Sequence, residues 1–331
     1  QVWVPALSER DDMEGVVRKA LRVDKAEDVG ELAGPILDFV WWFNNEGSPR
    51  YGASHGLSLS VRDILAWCGF ITNLAEGEEG EENHYPPWRA YVQGISLILL
   101  DGMGLGSGLS PSDVQGLRKA ATGFIISQVP EGAARSQAAL HLSGSAPPPH
   151  ITIKKDERTR LAFFGSDDFS IPWGGADALP STSPCLSSGL GFSLGAPTTG
   201  KNAVRVLRAM QLKKAVLLEG SPGVGKTSLV EAIANASGNE LVRINLSEQT
   251  DVSDLFGSDL PVPDTDGHNE LPSSITHSPE QDEPKNDHIC AADGSSTRAR
   301  FEWCDGVFLK ALKAGKWVLL DELNLASQVG V

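Results

Sequence analysis

"AVLLEGSPGVGKTSLVEAIANAS", residues 215–237, decides the fold. A short apolar run leads into Glu219, a turn rich in glycine follows, and apolar residues at helical spacing then continue to Gly238. The turn, GSPGVGKT at 220–227, fits G-x-x-x-x-G-K-[ST], with Gly220, Gly225, Lys226 and Thr227 in the fixed places. Gly223 adds no Cβ, so backbone N–H groups of the loop can converge on an anion. A strand before the loop and a helix after it are the context this motif needs, and the sequence supplies both. The helix N-terminus adds its partial positive charge to the same point.

The ligand implied is ATP with Mg²⁺. Its phosphates fall to Gly220, Ser221, Pro222, Gly223, Val224, Gly225, Lys226, Thr227 and Ser228. Lys226 bridges the β- and γ-phosphates, and the Thr227 hydroxyl is a Mg²⁺ ligand.

A second motif, "WVLLDE" at 317–322, completes the chemistry. Its apolar residues make a strand, and Asp321 stands at the C-terminal end, where open α/β sheets bind ligands. Asp321 is then the carboxylate of the Mg²⁺ shell. Glu322, directly after it, can orient and polarise a water for in-line attack, which favours a nucleotide hydrolase over a kinase. Catalysis is thereby assigned to Glu322, Lys226 and Asp321. The pattern carries weight because the glycine loop precedes it.

Composition limits the alternatives. The 331 residues are 40% hydrophobic, enough to bury substantial cores. A formal charge of −15 opposes a bare nucleic-acid-binding surface, which needs clustered Lys and Arg. Cys68, Cys185, Cys290 and Cys304 form no CxxC pair and no zinc spacing, so neither a disulfide framework nor a structural metal is indicated. The longest apolar run, ISLILL at 95–100, is too short to span a bilayer. The start, QVWVPALSERDDMEG, has no basic n-region or apolar core and reads as neither a signal peptide nor a natural beginning. Together these describe a soluble intracellular protein or part of one.

Residues 1–127 read as short amphipathic helices. ELAGPILDFVWWFN (31–44) places Leu32, Ile36, Phe39, Val40 and Phe43 on one face. Ser60 with Asp63 resembles a capping box, and Ser110, Pro111 and Asp113 repeat the device. Trp41, Trp42, Trp67 and Trp88 are expected as core or contact residues rather than base-stacking groups. The acidic run AEGEEGEENH (75–84) reads as a solvated loop. Residues 128–199 read as a Pro- and Ser-rich linker, in which ITIKK and RLAFFG can pair as a hairpin.

From 200 to 331 strands and helices alternate: KNAVRVLRAMQLKK a helix, AVLLEG a buried strand, KTSLVEAIANAS a helix, ELVRINLS a strand, DVSDLFG a short helix and KWVLLDE a buried strand. That order implies a parallel sheet with helices on both faces. Residues of about 261–300 carry five prolines and few apolar groups, and are expected as a disordered insertion that lengthens the interval between the two motifs.

The flanking words are more specific still. KNAVRVLRAMQLKKAVLLEGSPGVGKTSLVEAIA, LVRINLSEQTDVSDLFGSDLPV and FLKALKAGKWVLLDELNLASQ resemble the midasins, dynein-related AAA+ ATPases of large-ribosomal-subunit assembly. LSLSVRDILAWCGFI and AYVQGISLILLDGMG resemble the helical lid that closes one AAA+ module. The resemblance implies an α/β P-loop core, truncated, preceded by an all-α lid. Residues 1–127 would close one module and 200–331 open the next, which accounts for a phosphate loop so late in the chain. It further implies neighbouring AAA+ modules of one polypeptide ring as partners, with an arginine finger and a sensor-1 residue outside these residues. By the same resemblance, the chain would bind ATP but hydrolyse it poorly in isolation.

Release of assembly factors from pre-60S particles in the nucleus, nucleolus and nucleoplasm, follows from that resemblance. Arg62, in SVRD, matches the sensor-2 position of the lid; the plain alternative is a surface arginine paired with Asp63 or the acidic run. Two other readings share the motifs: a structural, non-hydrolysing ring element, and a MoxR-like or dynein-like ATPase outside ribosome assembly.

Overall fold

The computed structural model describes residues 10–22, 27–52, 57–75, 85–143, 153–156, 160–164, 169–174, 194, 196–262 and 300–325. The chain divides into two compact units, Gln1–Glu240 and Leu241–Val331.

The first unit opens with α1 (Arg10–Ala20), α2 (Glu27–Gly30) and α3 (Ala33–Trp42), which runs through a π turn, Phe43–Gly47, into α4 (Ser48–Arg50). Leu32, Ile36, Phe39, Val40 and Phe43, the face expected from their spacing, are all buried. Next come α5 (Val61–Ala75) and α6 (Pro87–Ile95), the latter extended by a π turn at Ser96–Leu100. α7 (Pro111–Gln128) and α8 (Ala133–Leu142) complete the helical part.

Both helix starts are capped as the sequence suggests. Ser60 N–H donates to Asp63 Oδ2 at 2.8 Å. Ser110 Oγ accepts from Asp113 N–H at 3.2 Å. The core is aromatic: the Phe39 and Trp67 rings meet edge to face at 5.9 Å, and Trp67 Nε1 donates to the Tyr91 carbonyl at 3.0 Å. Gly94 makes this packing possible, since a Cβ there would lie 2.5 Å from Trp67 Cδ1. Trp41 is half exposed and outside this core, so of the two expected roles the core one does not apply to it.

Residues 128–199, expected as a linker with a hairpin, hold more structure. α8 lies within them, and β1 (Ile153–Asp156) and β2 (Leu161–Phe164) pair antiparallel as expected. A third strand, β3 (Phe169–Pro172), pairs with β2. Its FSIP sequence is too short to show a period; Phe169 and Ile171 are buried, and the Phe169 ring packs against Phe70 and Tyr85. The unit then runs through α9 (Pro197–Met210) to α10 (Lys226–Ser237).

In the second unit, β4 (Leu241–Asn245) and β7 (Trp317–Asp321) form a parallel pair in which Asn245 faces Asp321. Between them in the chain stand α11 (Val252–Phe256), β5 (Gly257–Val262), β6 (Arg300–Asp305) and α12 (Val307–Lys313). Ile244, Leu246 and Leu255 make the small core, with Phe308 and Val318 packed on it. β5 and β6 form an antiparallel ladder from Gly257–Asp305 to Val262–Arg300, so the base of the expected insertion is tied. Residues 263–299 of that insertion, and 76–84 of the acidic run, lie outside the described residues.

Two expectations are corrected. Residues 215–220 form no strand among the described residues, and Leu217 is 68% exposed. An apolar strand is buried only when neighbours cover it. β7 is likewise half-exposed rather than buried, because its sheet has two strands among the described residues.

Candidate functional site

α10 sets the geometry of the phosphate loop. Leu229, Ala232, Ile233, Ala234 and Ala236 bury one face of the helix. Gly238, left-handed at φ 68°, ends it, and Asn239 N–H returns to the Ala234 carbonyl at 2.9 Å. Gly174 N–H donates to the Ser237 carbonyl at 3.1 Å, which ties that end to the chain leaving β3. The helix is therefore held by its apolar face and C-terminus, and its N-terminus presents the loop to solvent.

Within the loop Gly223 and Gly225 have φ 79° and 82°, values that side chains with a Cβ disfavour. A Cβ built on Gly223 meets nothing within 4 Å, so that side of the loop is open. Among the described residues, the amides of Gly223, Val224 and Gly225 have no backbone acceptor. Lys226 Nζ donates to the Gly220 and Ser221 carbonyls at 2.8 and 3.1 Å, folding its charge back over the loop. Unpaired amides, an ammonium and the adjacent hydroxyl of Thr227 at a helix N-terminus are the donor set a triphosphate requires. The residues fit a nucleoside triphosphate.

Asp321 and Glu322 belong to the second unit. Asp321 ends β7 and accepts an ion-paired hydrogen bond from Arg243 at 2.6 Å. Glu322 follows at φ 56°, and its N–H donates to Asp321 Oδ1 at 3.1 Å. That turn leaves the Glu322 side chain exposed, with no partner among the described residues. No group of three or more His, Cys, Asp or Glu suited to a metal occurs among the described residues. Mg²⁺ bound chiefly through phosphates needs no such cage.

Arg62 stands in the first turn of α5, exposed and with no ion-pair partner among the described residues. Pairing with Asp63 is not made: Asp63 is engaged by Ser60. Arg243 is the residue that sequence reasoning missed. Its signal was the alternation in LVRINL, where Val242, Ile244 and Leu246 serve the core and Arg243 faces away.

Residues 216–279 match the family described as "ATPase family associated with various cellular activities (AAA)". A midasin of Dictyostelium discoideum is 38% identical over 340 aligned residues, covering 99% of this chain. A midasin of Giardia intestinalis is 34% identical over 271 residues, 82% of this chain. The chain spans 5% of the length of each. The human ATPase family gene 2 protein homolog B is 35% identical over 124 residues, 35% of this chain and 15% of that protein. No solved structure matches. With an AAA segment around the phosphate loop and likeness to midasins along nearly all its residues, the chain belongs to the midasin family.

Proposed function

We propose that this chain binds MgATP at Gly220–Ser228 as part of a midasin-type mechanoenzyme. The observation that carries this reading is the exposed loop before α10, with open glycines, acceptor-free amides and Lys226 folded across it. Lys226 would hold the phosphates by its charge, and the Thr227 hydroxyl would be a ligand for Mg²⁺. By motif, Asp321 would be a Mg²⁺ carboxylate and Glu322 would orient a water for attack. Bound Mg²⁺ supplies charge neutralisation of the phosphates. Arg62 serves as the sensor-2 residue of the helical part, a role its unpaired exposure supports.

In the ring reading, residues 1–127 are the lid of one AAA+ module, 128–199 connect, and 200–331 open the next module's core. Neighbouring modules supply an arginine finger, and ATP turnover releases assembly factors from nuclear pre-60S particles. Likeness to the two midasins supports this reading.

A fluorescent ATP analogue tests the binding. It should bind the chain saturably, Lys226→Ala should abolish that binding, and turnover should stay near background. Undiminished binding by Lys226→Ala would sink the assignment, and vigorous hydrolysis by the chain alone would sink dependence on a neighbour.

A further inference from the structure

In the first unit α6, α7, α8 and α9 surround a cleft of about 630 Å³, within the range of small-molecule sites. Five cationic side chains line it: Arg89, Arg118, Lys201, Arg205 and Arg208. Asp101 is the only carboxylate among its described lining residues. In a chain of net charge −15, that concentration of positive charge requires a reason.

Asp101 is already committed. It directly follows the π turn Ser96–Leu100, where its N–H returns to the Ser96 carbonyl. One carboxylate oxygen accepts from Arg205 Nε at 3.1 Å, the other from Arg208. Arg208, with 4% of its side chain exposed, also donates to Gln93 Oε1 at 2.7 Å. Arg118 donates to the Leu100 carbonyl, a neutral acceptor. Burial lowers its pKa; Asp101 opposes that shift, and the Arg205 guanidinium adds to it. Lys201 has no partner among the described residues. Setting Arg89 aside, since it is engaged at the Tyr85 ring, Lys201, Arg118, Arg205 and Arg208 face one carboxylate, and this leaves a positive surplus concentrated by low-dielectric walls.

A compact ligand carrying several negative charges would balance this surplus. Carboxylates bring one charge each, whereas a phosphate chain brings several within a few ångströms and matches guanidinium forks. We propose that the cleft between α6, α7, α8 and α9 binds a polyphosphate anion, either free or as the phosphate chain of a nucleotide. This site is separate from the Gly220–Ser228 loop and does not depend on that loop binding ATP.

The test uses the whole chain carrying Lys226→Ala, so that the phosphate loop is disabled, with tripolyphosphate as probe. Trp88 lines the cleft and reports occupancy by fluorescence; calorimetry gives the stoichiometry. We expect saturable one-to-one binding, weakened roughly tenfold by Lys201→Ala with Arg205→Ala, two charge-assisted contacts removed from exposed positions. The salt dependence of affinity should become shallower in the same variant. Lys201→Glu alone gives the same direction should the double variant unfold. Displacement of tripolyphosphate by ATP identifies the nucleotide as a source, and failure to displace identifies the free anion. No saturable binding, or equal affinity in parent and cleft variants, overturns the proposal.

Discussion

Arg243 on β4 and Asp321 at the end of β7 are joined across the parallel pair by a 2.6 Å ion-paired hydrogen bond. The β7 carboxylate proposed for Mg²⁺ is therefore held by a protein cation. Arg243 is about half exposed, so solvent screens the pair and its worth is at most about 1 kcal/mol. That is strong enough to orient Asp321 and weak enough for a divalent ion to displace.

Replacing Arg243 by Gln should therefore raise Mg²⁺ affinity in the nucleotide-loaded chain, by up to about fivefold, the equivalent of that ion pair. Manganese titration followed by electron paramagnetic resonance measures it. Weakened metal binding would instead make Arg243 a positive contributor to the site.

Lys226→Ala should leave stability almost unchanged while removing ATP binding. Lys226 Nζ is bonded to two carbonyls of an exposed loop, so its loss leaves no buried acceptor unpaired. Thermal unfolding should shift by no more than a degree or two, roughly the effect of a surface substitution. A large drop in Tm would mean the lysine is structural.

Gly94→Ala should destabilise the helical part of the first unit. Alanine is the better helix former by about 1 kcal/mol, but the new Cβ would sit 2.5 Å from the Trp67 ring. Overpacking of this kind costs about 1–3 kcal/mol, so the clash wins or at least cancels the gain. Denaturant unfolding followed by tryptophan fluorescence reads the result; a stabilised protein would contradict the packing.

Cys68 should resist thiol reagents until the protein unfolds. It is fully buried, and burial pushes its thiol pKa from 9.0 up to about 12. The folded pKa lies above the unfolded one, so the contribution of Cys68 to stability is intact below about pH 9 and falls as pH rises from there toward 12. A chain with Cys185, Cys290 and Cys304 changed to Ser should react with a disulfide reagent at pH 8 only in denaturant. Rapid native labelling would show that the α5 core opens.

Features with local causes were legible in the sequence. The Ser60 and Ser110 caps use side chains three residues from the amides they bind, and the buried face of α3 follows from spacing alone. Left-handed Gly225 stands where the phosphate-loop pattern fixes a glycine, and left-handed Gly223 is the further glycine within the loop. Less legible were β3, β5 and β6, whose short sequences carry no period and whose pairing depends on distant partners. The apolar run 215–220 misled for the same reason: its composition is that of a buried strand, but burial requires neighbours that composition does not specify.

The sequence by itself determined the glycine turn at 220–227 and the helix after it, the position of Asp321 at a strand end, the helix starts and kinship with the midasins. Each of these rests on contiguous residues, where spacing along the chain is also spacing in space. Tertiary structure alone decided that Arg243 holds Asp321, and that Arg208 reaches Gln93 and Asp101 across more than a hundred residues of chain. Those pairings depend on which charged groups share a surface once the helices and strands have packed, and packing, not adjacency, brings them within hydrogen-bond reach.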